Sequence, residues 1–238
     1  MIERTEDNGI VTLRLAHGKV SALDLEFGEE LRRQLAASRE ARAVILTGTG
    51  SIFSAGVDLF RMTTEGAPYI ERFFPMLRDT LSEMFRFPRP LVAAVNGHAI
   101  AGGCLMAAAS DYRLMAGGKI GVPELLVGVP FPAIAIEILQ FAAGRDAQQL
   151  AYSGATITAD EAVNKGLIDE VVDAHQLMLR AEEVAHQLAA IPAESFRLTK
   201  LQLRGLAVDP DPAALEVWSD PAIHDHIKDY LARTVHRK

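Results

Sequence analysis

Short apolar runs alternate along the chain with longer segments in which apolar residues recur every three or four positions, the pattern of strands interleaved with amphipathic helices. Residues 2–6 and 10–16 flank Asp7-Asn8-Gly9, which tolerate positive φ, and predict an opening β-hairpin. Ser21-Ala22-Leu23-Asp24 approximates a capping box with Ser21 as the cap. Leu23, Phe27, Leu31 and Leu35 then recur four apart, predicting a helix that ends near Ala37. Residues 43–47 read as a buried strand, followed by glycine-bearing loops through Leu59. A helix over 69–85 is closed by Phe87-Pro88-Arg89-Pro90, because proline disfavours helix at the residue before it. The same order returns: strand 91–95, a turn at Asn96-Gly97, and a small-residue stretch entering a helix that ends near Ser110. A third strand, 112–115, leads through glycines to Val122-Pro123-Glu124-Leu125-Leu126-Val127-Gly128. Helices are predicted over 131–143 and 146–152, a Thr158 capping box opens a short helix ended by Gly166, and 167–172 returns as a strand. Beyond Asp173 the pattern is helical, over 175–190, 195–206 and about 221–233. The architecture expected is α/β, with loops after the strands converging on one side.

Composition narrows the classes. Of 238 residues, 49% are hydrophobic and 23% charged, as in folded globular chains, and 24 basic against 31 acidic residues without a basic block argue against nucleic acid as a partner. The apolar runs fall short of a membrane span. A lone cysteine, Cys104, and an N-terminus without a signal pattern predict a cytoplasmic protein.

Familiar signatures fail: there is no Walker loop, dinucleotide fingerprint, His-Glu-x-x-His or Gly-x-Ser-x-Gly. His224-Asp225-His226 lacks partners at zinc-like spacing, so no metal site is expected. Two loops are more informative. Ala55-Gly56-Val57-Asp58 and Ala101-Gly102-Gly103-Cys104 each place small residues before a helix start, where free N–H groups meet a closely approaching ligand. Each alone is equally readable as a tight turn; two such donors together make an oxyanion hole.

In the order Phe53 to Leu59, Val95 to Cys104, Asp111-Tyr112-Arg113, Pro123 to Gly128 and Ala162 to Val172, the chain resembles the crotonase, or enoyl-CoA hydratase/isomerase, superfamily. The resemblance implies a crotonase-like spiral of ββα units. It also implies a division into a core over 1–192 and a helical region over 193–238 that builds homotrimers or hexamers. It implies an acyl-CoA thioester as substrate, with no further cofactor, whose carbonyl oxygen is held by the N–H groups of Val57 and Gly102. Around them Ser54, Ala55, Gly56, Asp58, Leu59, Gly103, Leu105 and Pro123 are the substrate-binding candidates. Hydratases of the family carry one glutamate after the second glycine loop and another in the proline-glutamate segment. Here the first position holds Leu105 and the second Glu124. One carboxylate suffices to move a proton from the α- to the γ-carbon. The resemblance is therefore greatest to the Δ3,Δ2-enoyl-CoA isomerases of fatty-acid β-oxidation, supported by Ala101 to Leu105 and Leu198-Thr199-Lys200. A hydratase or another crotonase reaction is the alternative, and a non-catalytic acyl-CoA-binding protein a third. Asp58 is read as a helix cap, Asp111 and Arg113 as structural, Cys104 as a buried hydrophobe and His98 as non-catalytic. Arg61 and Lys228 are candidates for the CoA phosphates, and Val129-Pro130-Phe131-Pro132-Ala133 replaces a glycine-rich stretch that shapes the acyl pocket in relatives.

Overall fold

The computed structural model describes residues 1–205. Its N-terminus is the expected hairpin, β1 (Ile2–Asp7) against β2 (Ile10–Leu15), with Asn8 and Gly9 both at positive φ in the turn. Helix α1 (Leu25–Ala37) follows, but its cap is Asp24 rather than Ser21. Asp24 is extended, and its carboxylate accepts from the Phe27 N–H at 2.8 Å, the geometry a cap requires. Ser21 sits at φ +46 and donates its hydroxyl to the Leu15 carbonyl instead, so it shapes the approach to the helix.

Three successive units then share one plan. Strand β3 (Ala43–Thr47) is followed by β4 (Ile52–Ser54) and the helices α2 (Leu59–Glu65) and α3 (Ala67–Phe85). Strand β5 (Leu91–Val95) is followed by β6 (His98–Ile100) and α4 (Gly102–Ala108). Strand β7 (Tyr112–Met115) is followed by β8 (Lys119–Gly121), a 3₁₀ turn (Pro123–Val127) and α5 (Ala133–Ala143). The remainder is α6 (Ala147–Ser153), β9 (Thr156–Thr158), α7 (Ala159–Asn164), β10 (Glu170–Val171), α8 (Leu177–Ala189) and α9 (Ala193–Leu203). The first strand of each unit enters a six-stranded sheet, ordered β1-β2-β3-β5-β7-β10. The second enters a four-stranded sheet, ordered β4-β6-β8-β9. This is the spiral of ββα units.

The continuous apolar runs of β3 and β5 are explained by burial on both faces. Val44 and Leu46, with Leu91, Ala93 and Val95, face the main core beneath α1, α3 and α4. Ala43, Ile45, Val92 and Ala94 face a second core built by Leu177, Ala181, Val184 and Ala185 of α8. Two expectations shorten. Residues 167–172 form a strand only at β10, because the Leu167 and Ile168 N–H groups both turn back to the Ala162 carbonyl at the end of α7. The helix expected from Phe131 begins at Ala133, since Pro132 keeps the residue before it extended. The helix expected over 221–233, Lys228 and His224-Asp225-His226 lie outside the described residues.

Candidate active site

Strands β4, β6 and β8 lie side by side and parallel, so the loops leaving their carboxyl ends emerge on one edge. These loops are Ala55-Gly56-Val57, Ala101-Gly102 and Val122-Pro123-Glu124. Leu23 stitches the first in place: its N–H donates to the Gly56 carbonyl at 2.7 Å, and its own carbonyl accepts from the Asp58 N–H at 3.0 Å. Gly56 has φ +79, and a Cβ there would sit 2.6 Å from the Ile100 carbonyl oxygen and 3.1 Å from the Gly102 nitrogen. Only glycine lets the two loops approach this closely.

The Val57 N–H donates to no protein acceptor among the described residues, and neither does that of Gly102, the first residue of α4. Helix α4 is buried along its whole length, so its N-terminal donors lie in a site largely closed to solvent. Ala101, just before it, has φ +53 and ψ −123, a conformation alanine rarely adopts. Two backbone bonds hold it there: its N–H donates to Gly121 at 2.8 Å, and its carbonyl accepts from Leu105 at 3.1 Å.

Glu124 stands on the 3₁₀ turn, half-buried, with its Oε2 fully buried and bonded to nothing. Burial pushes its carboxyl up to about 7; only its own backbone N–H opposes the shift. The carboxyl opens into a cavity of about 170 Å³ whose other walls are apolar. Both donor loops, Leu59, Leu105 and Pro123 contribute to that lining. The sequence reading missed the opposite wall, made by Ile70, Phe73, Phe74 and Leu77 of α3. The i, i+3, i+4, i+7 spacing of those four was the available signal, and it reads equally as a core face. Val129, Pro130 and Pro132 also line the cavity, so the stretch that departs from the family does shape this pocket.

Other expected residues play supporting parts. Ser54 is buried at the end of β4; its hydroxyl donates to the Ser21 carbonyl at 2.7 Å and accepts from the Gly56 N–H, fixing the loop rather than facing the cavity. Gly103 packs against β4, where a Cβ would stand 2.4 Å from the Ser54 carbonyl oxygen. Asp58 is the N-cap of α2, accepting from the Arg61 N–H at 3.0 Å. The Arg61 guanidinium is committed to Glu26 and Glu65 and lies 4.7 Å over the Tyr69 ring, so it is not a free cation for phosphate. Cys104 is wholly buried. His98 accepts from the Lys119 N–H, Asp111 accepts from the Leu91 N–H, and Arg113 pairs with Asp169. Among the described residues no three metal-ligating side chains cluster, and no helix is long and apolar enough to cross a membrane.

Two backbone donors without a protein acceptor and a carboxyl of raised pKa, all lining one apolar cavity, suit an acyl substrate whose carbonyl gains negative charge as a neighbouring proton leaves. The family model for enoyl-CoA hydratase/isomerase matches residues 5–225. The chain belongs to the enoyl-CoA hydratase/isomerase family. Members similar to it carry both activities in their names. A mitochondrial enoyl-CoA delta isomerase 1 of Rattus norvegicus is 31% identical over 217 residues, 88% of this chain and 75% of the relative. A putative enoyl-CoA hydratase of Thermus thermophilus is 32% identical over 182 residues, 74% of this chain and 72% of the relative. Among solved members, human mitochondrial delta3-delta2-enoyl-CoA isomerase superposes with a TM-score of 0.83 at 27% identity, over 98% of this chain and 97% of the other.

Proposed function

We propose that this family member is a Δ3,Δ2-enoyl-CoA isomerase, serving the oxidation of unsaturated fatty acyl chains. Glu124 takes a proton from C2 of a 3-enoyl thioester. The electron pair of that C–H bond forms a C1–C2 double bond as the carbonyl pair moves onto the thioester oxygen, giving a dienolate conjugated with the C3–C4 double bond, whose oxygen the Val57 and Gly102 N–H groups stabilise. Glu124 then returns the proton to C4, leaving the double bond between C2 and C3. No water and no second acid enter the balance.

The observation that carries this reading is the cavity lining, in which Glu124 is the one titratable side chain among the described residues. Hydration needs a group to activate water as well as a proton source for the α-carbon. Leu105, 2% exposed, fills the position where the family's hydratases hold their other glutamate. Hydratase is the second reading, favoured by relatives of that name at the same level of identity.

The test is to offer the purified protein trans-3-hexenoyl-CoA and, separately, trans-2-hexenoyl-CoA, following absorbance of the conjugated thioester. Conjugation should appear from the first, the second should persist, and Glu124→Gln should slow the first by at least 100-fold, the lower range for a lost acid–base group. Rapid loss of conjugation from the second would establish the hydratase instead.

A further inference from the structure

Helix α2 forms one wall of the cavity through Leu59 and Met62, yet little holds it there. It has seven residues, none of them buried, and Phe60 is 88% exposed. A helix of that length does not persist on its own and depends on what it is tied to. Among the described residues Arg61 is the only side chain of α2 with a polar partner outside the helix, since Thr63 and Thr64 bond back to α2 carbonyls and Glu65 bonds Arg61 itself. The Arg61 guanidinium takes both carboxylate oxygens of Glu26 in the first turn of α1, with Nη2 to Oε1 at 3.0 Å, and lies over the ring of Tyr69 on α3. One side chain therefore ties α2 to α1 and α3 at once. The Val57 donor does not depend on this tie. The peptide that carries the Val57 N–H also carries the Gly56 carbonyl, which accepts from Leu23 at 2.7 Å, and in a planar peptide holding the one fixes the direction of the other. The Asp58 N–H donates to Leu23 in turn. Main chain orients the donor, and a side chain holds the wall beside it.

We propose that Arg61 is a positioning residue that, through Glu26, holds α2 in place as a wall of the cavity, so that it governs substrate binding and leaves the chemical step unchanged. The proposal rests on the thioester reading above and adds the ion pair that keeps its site formed.

The experiment is a double-mutant cycle of Arg61→Met and Glu26→Ala, reading trans-3-hexenoyl-CoA turnover and, separately, calorimetric binding of the unreactive hexanoyl-CoA, with folding checked by circular dichroism. Both side chains are partly exposed, so the effects are modest. Arg61→Met should raise KM and Kd about three- to tenfold and change kcat less than about twofold, the scale of one exposed ion pair with one cation–ring contact. Glu26→Ala, which leaves the Tyr69 contact, should raise them about twofold, and the double variant should bind no worse than Arg61→Met alone. Unchanged KM and Kd in Arg61→Met overturn the proposal. A fall in kcat with binding intact overturns it equally, because Arg61 would then act on the donor. Tighter binding in Glu26→Ala overturns it as well, since the freed guanidinium would be meeting the substrate itself, and effects that add in the double variant remove Glu26 as the partner. If no 3-enoyl thioester turns over but hexanoyl-CoA binding weakens in the expected pattern, the isomerase reading fails and the positioning role stands.

Discussion

Glu124 is kept protonated by the same burial that makes it a strong base once ionised. Its carboxyl titrates at about 7, so the carboxylate needed to remove a proton accumulates as pH rises through that value. Isomerase kcat/KM is therefore expected to climb between pH 6 and 8 with a midpoint near 7, and Glu124→Gln is expected to flatten the profile to its floor. Stability runs the other way. The folded carboxyl holds its proton between 4.5 and 7 while the unfolded one releases it, so the folded state binds more protons in that window and loses stability as pH rises. Relative to wild type, Glu124→Gln should gain on the order of 2 kcal/mol on going from pH 4 to pH 8, after allowance for the carboxyl's partial exposure, as measured by urea denaturation. A variant that loses activity and gains stability marks a strained functional group. In the sequence Glu124 was legible only through its register with a family. A lone Pro-Glu pair carries no sign that it will line one cavity with α3 and the two donor loops.

The site depends on backbones that touch, and glycines mark the contacts with different tolerance. At Gly103 an added Cβ meets the Ser54 carbonyl oxygen at 2.4 Å and carbonyl carbon at 3.0 Å, both main-chain atoms, so α4 or β4 must move. At Gly102 the corresponding Cβ meets the tip of the Leu23 side chain at 2.6 Å, which can rotate away while its backbone still bonds Gly56 and Asp58. Gly103→Ala is thus expected to cost about 1–3 kcal/mol and to displace the Gly102 donor, while Gly102→Ala should fold with a loss under about 1 kcal/mol. Thermal melts alongside turnover distinguish the two. The long elements were readable because burial on one or two faces leaves a period in the chain, as in α1, α3, β3 and β5. Strands β4, β6, β8 and β9 have three residues each, too few to show alternation, and they are the strands that bring the loops together. Ser21 misled for a related reason: a Ser-x-x-Asp spacing does not reveal which of its members is extended.

At the scale of the molecule, one buried ionic cluster ties the chain's C-terminal described helix to the far ends of both pocket helices. Asp111, after α4, accepts from Lys200 at 2.7 Å and from Arg204 at 2.7 Å, with all three side chains at most 10% exposed. Arg204 also donates to the carbonyls of Phe85, at the end of α3, and Ala109, after α4, and lies 4.3 Å over the Phe85 ring. Charges at separations of 89 and 93 residues leave no local pattern, so the cluster was invisible in the sequence beyond the structural reading of Asp111. Removing the anion strands two buried cations, and Asp111→Ala should cost about 3–5 kcal/mol. Lys200 offers a finer check. Desolvation outweighs the pull of Asp111 and lowers its ammonium to about 8, below the 10.5 of the unfolded chain. Between those values the unfolded state binds the extra proton, so this residue makes stability rise with pH, and the gain is lost again as pH falls from 10.5 to 8. Lys200→Met should remove that rise, about 3 kcal/mol across the window, and leave the variant's urea midpoint flatter than that of wild type over pH 8 to 10.5. Equal slopes would mean that Asp111 holds Lys200 charged despite its burial, and that the ion pair, rather than packing around it, is what docks α9 against the helices of the site.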